Sequence, residues 1–248
     1  MRIAIIGVGV MGTAFAKAFI EKGFDVVLCD RSSKSIKGAD TVKEPKAAVK
    51  DTDIVLIAIK PKDLKGLAAE LGDLKGKLVL SILAGVTVAS LKSYFPGAEI
   101  VRSMPNLALT CNEAVIALTG AEEAKDRVEE LLKGLGLVFW TEERLIDGIT
   151  ALAGSGPAFI MAILEAMVES GILMGLKADS ALKLALQTMR GTIALIEEHS
   201  GHPGELRWQV SAPAGTTIAG MKAFEENSVR SGLIETFLAA YNRSKDLS

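Results

Sequence analysis

The stretch IAIIGVGVMGTAFAKAF, Ile3 to Phe19, decides the fold. The apolar run Ile3 to Ile6 has the composition of a short strand, and Gly7, Gly9 and Gly12 follow it in G-x-G-x-x-G spacing before an amphipathic helical pattern. In that setting Gly7 permits a tight turn, Gly9 lets a pyrophosphate come up to the backbone, and Gly12 allows the helix to pack close to the strand. Free N–H groups at the start of the helix attract phosphate. The residues expected against a dinucleotide here are Ile6, Gly7, Val8, Gly9, Val10, Met11 and Gly12.

Outward from this turn the first half of the chain alternates apolar runs with helical patterns. The runs are Ile3 to Ile6, Val26 to Cys29, Ile54 to Ile59, Leu78 to Ile82 and Ile100 to Met104, with EAVIAL and LGLVFW flanking a charged helix from Ala121 to Lys133. Continuous apolar strands joined by crossovers imply a parallel sheet covered on both faces. Past Thr141 no strand run is evident, and apolar residues recur at helical spacing over Pro157 to Met174, Asp179 to Glu198 and Val229 to Asn242. The expected fold is α/β: an N-terminal Rossmann-type doubly wound, mostly parallel sheet over residues 1–150, then a second, all-helical domain over 151–248. The segment EERLIDGITALAGSGP should carry a helix into a glycine-proline break, with Ser155 as a cap and Pro157 at the first helical position.

Composition narrows the function classes. With 28 basic and 30 acidic residues spread along 248, no basic face invites a nucleic acid backbone. No uncharged apolar run reaches the roughly 18 residues of a membrane span, and the N-terminus lacks the pattern of a signal peptide, so a cytoplasmic location is expected. Cys29 and Cys111 read as packing residues, and two histidines are too few for a zinc site, so no metal is expected.

Further turns at the carboxyl ends of strands complete the expected cofactor site. After the second strand, Asp30 is placed to accept from a ribose 2′-hydroxyl, while Arg31, Ser32 and Ser33 could hold a 2′-phosphate, which leaves NADPH and NADH both open. AIKP supplies Ala58, Lys60 and Pro61, and SILAGVT supplies Ala84, on the nicotinamide half. Asn106 of SMPN could present its amide to nicotinamide or substrate.

A second site is expected in VSAPAGTTIAGM, Val210 to Met221, where small residues and hydroxyls interrupt the helical half. Thr216 and Thr217 precede an apolar helical pattern and read as a helix start with a hydroxyl cap. Backbone N–H groups from Gly215 to Thr217, with the positive helix end, would receive one carboxylate.

Taken in order, IIGVGVMG, AIKP, AGVT, MPN, GSGPAF and VSAPAGTTIAGM resemble the pyrroline-5-carboxylate reductase family along nearly the whole chain. That resemblance implies a Rossmann domain followed by a helical dimerisation domain, and reduction of 1-pyrroline-5-carboxylate to proline with NADPH or NADH. It implies that the Thr217 hydroxyl contacts the substrate ring nitrogen as the catalytic group, and that Ser211, Gly215 and Thr216 lie in the loop holding the carboxylate. Three departures stand out. Ala214 occupies a position where the family pattern has glycine, the segment from Ser32 to Asp53 is short for a strand, helix and strand, and Leu107 replaces the commoner threonine of MPNTP.

Two other readings compete. A β-hydroxyacid dehydrogenase would need a base for the hydroxyl proton, yet Phe159 to Met174 contains no lysine. A nucleotide sensor would bind NAD(P) without turnover. The wide apolar faces of Phe159, Ile160, Ile163, Leu164 and Met167 predict a homodimer or a higher assembly of dimers. His202 reads as a turn residue, and Glu165 as either an interface or a solvent-facing carboxylate.

Overall fold

In the computed structural model residues 1–31, 34–199 and 201–247 are described; Ser32 and Ser33, assigned above to a 2′-phosphate, lie outside them. The chain forms two compact units, Met1–Ser155 together with Ala240–Ser248, and Gly156–Ala239. The C-terminal turn thus belongs with the N-terminal unit, a return that a single cut near 150 does not contain.

The first unit is built on an eight-stranded sheet in the order β3-β2-β1-β4-β5-β6-β7-β8. Its strands are β1 (Arg2–Ile6), β2 (Asp25–Cys29), β3 (Asp40–Val42), β4 (Ile54–Ile57), β5 (Leu78–Ser81), β6 (Glu99–Pro105), β7 (Ala114–Gly120) and β8 (Gly136–Trp140). Every neighbouring pair is parallel except β6 with β7. The reversal of strand order beside β1 opens the crevice in which such sheets bind ligands.

Strand periodicity sorts the core into two layers. Ile3, Ile5, Val26, Leu28, Ile54 and Leu56 face one side, under α1 (Val10–Glu21) and α5 (Lys125–Leu132). Ala4, Ile6, Val27, Cys29, Val55 and Ile57 face the other, under α2 (Pro45–Ala48), α3 (Leu64–Leu71) and α4 (Val88–Tyr94). Among the described residues of the short segment before Asp53, the regular elements are the three-residue β3 and the single turn of α2. Gly38, at φ +93, lies against Ile20 of α1 in place of a full crossover helix.

The expected glycine-proline break is instead a change of helical pitch. After α6 (Ile146–Ile149), residues Thr150–Gly154 form a π-helical turn, and Ser155 keeps αR geometry with its N–H on Thr150 O at 2.9 Å. Ser155 is therefore not a cap, and Pro157 lies within a continuous helical run, Glu143–Leu173.

The second unit holds α7 (Gly156–Leu173), α8 (Ala178–His199), α9 (Pro203–Gln209), α10 (Thr216–Glu226) and most of α11 (Val229–Leu247). Gly171 lets α8 pack close to α7, since a Cβ there would lie 2.8 Å from that of Ala181. Phe159 and Phe237 meet edge to face at 5.1 Å. Buried positions in α7 and α8 are limited to Gly156, Gly171, Ala181 and Ala185. His202 caps α9, its ring nitrogen accepting from the Gly204 N–H, in keeping with a turn residue.

Candidate active site

The first half-site is the turn from β1 into α1. Gly7 has φ +101, and a Cβ on it would lie 2.6 Å from Ala58 O, so the turn is pressed against the end of β4. Gly12 is excluded from carrying a side chain by the Gly7 carbonyl. Gly9 differs: a Cβ there would meet nothing within 4 Å, so no protein contact demands its bareness. It is the N-cap of α1 without a side-chain cap, and the N–H groups of Val10, Met11 and Gly12 have no acceptor among the described residues. Open space above unpaired donors suits the diphosphate of a dinucleotide.

Beside this turn lies a cavity of about 250 Å³, lined by Ile6, Gly7, Asp30, Arg31 and, unforeseen in the sequence, Cys29, Pro45, Ile59, Asp63 and Leu67. It has the position and size for the adenosine half. Burial pushes the Cys29 thiol up to about 11, with Asp30 the next contributor, so it stays protonated at neutral pH. Arg31 reaches Glu70 of α3 at 2.8 Å. Both side chains are exposed, so a phosphate can draw Arg31 away at little energetic cost. Lys34, also unassigned from sequence, brings Nζ to 3.3 Å from Val8 O.

The other expected cofactor residues fall on two turns of the same sheet end, those after β4 and β5. Ala58 donates its N–H to Ile6 O, locking the end of β4 to β1. Lys60 is exposed and precedes a 3-10 turn that begins at Pro61. Ala84 is exposed at the tip of the turn after β5, ahead of Gly85 at φ +71.

Asn106 is anchored in the scaffold. It is 8% exposed, its Nδ2 donates to Ala153 O at 3.0 Å, and its Oδ1 accepts from the Val115 N–H at 3.2 Å. Pro157 has no N–H to offer the carbonyl four residues before it, and that carbonyl is Ala153. The Asn106 amide fills this gap, which commits one of its two N–H groups and one lone pair of its oxygen to the scaffold.

In the second unit the loop from Val210 to Gly215 joins α9 to α10. Here another expectation changes: Gly215, with extended backbone, is the N-cap, and neither threonine caps the helix. Thr216 and Thr217 are the first two helical residues, and among the described residues their N–H and hydroxyl groups have no protein partner. Extended glycine puts the chain's turn one residue earlier than a hydroxyl cap would. Ser211 is partly engaged, its hydroxyl donating to Arg207 O at 2.8 Å. Ala214 holds φ 54 without being glycine. The result is a helix start with open amides and adjacent hydroxyls, suited to a carboxylate. Among the described residues no group of three or more His, Cys, Asp or Glu side chains could hold a metal ion.

Comparison with known proteins places the chain in a family. A family model described as pyrroline-5-carboxylate reductase dimerisation matches residues 143–247, and one described as NADP oxidoreductase, coenzyme F420-dependent, matches residues 2–85. The pyrroline-5-carboxylate reductase of Aquifex aeolicus is 36% identical over 259 residues, spanning 100% of this chain and 97% of that protein. The chain belongs to the pyrroline-5-carboxylate reductase family. The family member of Methanosarcina acetivorans is 34% identical over 99% of this chain and 97% of its own length. Among solved structures, the Coxiella burnetii family member superposes with a TM-score of 0.87 at 30% identity, covering 99% of this chain and 98% of that one. The fold also matches a Plasmodium falciparum pyrroline carboxylate reductase with NADP bound, at a TM-score of 0.92 and 22% identity over 100% and 98% of the two chains.

Proposed function

We propose that this chain reduces the C=N bond of 1-pyrroline-5-carboxylate with NADPH to give proline, the last step of proline synthesis. The observation that carries the reading is the uncapped start of α10, where Thr216 and Thr217 offer amides and hydroxyls with no protein partner among the described residues. When bound, NADPH supplies a hydride from its nicotinamide. The open cradle over Gly9 holds the diphosphate, and Asp30 and Arg31 meet the adenosine ribose. Ala58, Lys60, Pro61 and Ala84 line the nicotinamide side.

In this reading the α10 amides, with Ser211 and Gly215, hold the substrate carboxylate, and Thr217 hydrogen bonds to the ring nitrogen. A protonated imine carbon is already electron-poor, so the protein need supply no strong acid. Its work is alignment of donor and acceptor at about 3–3.5 Å and exclusion of water.

We further propose that the working form is a homodimer joined through the second unit. Leu173 is 88% exposed, Met174 78% and Trp208 76%, an apolar surface that needs a covering copy. The run Glu143–Leu173 is also long and apolar enough to cross a membrane by length and composition. A dimer interlocked through these helices covers the same faces in water, and light scattering should give twice the chain mass; a monomer at micromolar concentration would overturn it. The free thiols Cys29 and Cys111 and the balanced charge favour a reducing, cytoplasmic setting without nucleic acid partners.

The direct test is consumption of NADPH by the purified chain on addition of pyrroline-5-carboxylate, with matching formation of proline. An NADH arm reads the cofactor preference. Binding of NADPH with no substrate-dependent consumption would replace this reading with the sensor.

A further inference from the structure

We propose that Arg102 and Glu143 form a positioning clamp on the turn from Ala84 to Val88, and that this clamp sets the nicotinamide end of the cofactor for hydride transfer. The inference rests on the reading above, in which that turn lines the nicotinamide.

Arg102 lies on β6 and shares the parity of Ile100, whose neighbours on that face are apolar. It is nevertheless a guanidinium only 4% exposed, with Nη1 3.0 Å from Glu143 Oε1. Desolvating such a pair offsets most of its attraction, and an apolar residue of similar volume would serve stability as well. The carboxylate has a second task. The same Oε1 accepts the Val88 N–H at 2.8 Å, the first amide of α4, which the helix itself leaves unpaired. Arg102 thereby fixes Glu143, and Glu143 fixes the end of the turn.

The opposite side of the turn is fixed by backbone. Gly85, at φ +71, lies so near the last turn of α11 that a Cβ on it would be 2.3 Å from Leu247 O. That last turn is tied in place by Ser244, whose Oγ donates to Asp147 Oδ1 at 2.7 Å. Ala84, exposed at the tip, is thus held between a charged contact on one flank and a close-packed carbonyl on the other. Two chain segments remote in sequence, around Glu143 and around Leu247, converge on one short turn. Misplacement of reacting groups by about 1 Å lowers rate about a hundredfold, so a turn held this firmly fits a positioning task.

The test uses the full-length dimer with Arg102→Lys, Glu143→Gln, Glu143→Ala and Ser244→Ala, and two ligands: NADPH and 2′-phospho-ADP-ribose, which lacks the nicotinamide. The clamp predicts that Arg102→Lys and Glu143→Ala lower kcat at least tenfold and weaken NADPH about tenfold, while affinity for the fragment stays within twofold. Glu143→Gln, whose amide oxygen can still accept from Val88, should recover part of the loss. Equal weakening of both ligands, or unchanged kcat with unchanged NADPH affinity, overturns the proposal. If the Arg102 variant does not fold, Glu143→Gln and Ser244→Ala, both at partly exposed side chains, must show the same split between ligands in smaller measure. Wild-type protein that ignores pyrroline-5-carboxylate would defeat the proposed reaction, while the comparison of the two ligands would still judge the clamp.

Discussion

Gly12 lies directly against Gly7: a Cβ on Gly12 would fall 2.0 Å from the Gly7 carbonyl oxygen. Its bareness serves the fold, whereas no protein contact demands that of Gly9, which has open space around it. Gly12→Ala should therefore shift α1 and destabilise the protein by about 3 kcal/mol, measurable by urea unfolding. Gly9→Val should leave the unfolding midpoint nearly unchanged while abolishing NADPH binding in a fluorescence titration. Equal effects of the two substitutions on stability would refute the distinction.

Thr217 offers a cleaner separation of activity from stability. Its hydroxyl has no protein partner among the described residues, and alanine is the better helix former. Thr217→Ala should lower kcat more than tenfold, keep NADPH affinity within twofold, and leave the melting temperature unchanged or slightly higher. Unchanged turnover would remove Thr217 from the reaction.

Ala214 carries strain that a glycine there would not. At φ 54 a Cβ costs about 1–2 kcal/mol. Glycine gives back roughly 0.5–1 kcal/mol of that through greater freedom of the unfolded chain. Ala214→Gly should thus stabilise the protein by roughly 0.5–1 kcal/mol in a denaturant titration. A lower unfolding midpoint would show that the loop relaxes elsewhere.

Cys29 predicts an alkaline weakness. Its folded-state pKa of about 11, against an ordinary 9.0, means that the unfolded chain releases the thiol proton first. The stability tied to the neutral thiol is fully present below pH 9 and is lost as pH rises towards 11, a loss of about 2–3 kcal/mol. Unfolding series at pH 8 and pH 11 should differ by less in Cys29→Ala than in the parent. At pH 8 a maleimide should label the exposed Cys111 rapidly and Cys29 slowly; equal rates would contradict the burial.

The sheet was legible because its signals are local. Short continuous apolar runs and the glycine spacing after Ile6 state the strand, the turn and the helix within a few residues. What escaped were features made by chain segments distant in sequence. The Asn106 amide donates to Ala153 O, 47 residues away, a carbonyl that Pro157 cannot serve, and nothing local to SMPN signals that contact. Arg102 and Glu143, separated by 41 residues, gave no pattern at all. Position in the helix decided the rest: Ser-Gly-Pro reads as a break, yet a π turn absorbs it, and Thr216 reads as a cap, yet extended Gly215 takes that place.

The central claim is that a hydride passes from the nicotinamide to an imine carbon of a small cyclic acid held at the start of α10. Incubation of the purified chain with pyrroline-5-carboxylate and NADPH deuterated at the transferring position of nicotinamide C4 tests it most directly. The account predicts proline carrying one deuterium on the former imine carbon, and the same label lost in parallel with turnover in Thr217→Ala. Proline without deuterium, or oxidised cofactor without labelled proline, would contradict it.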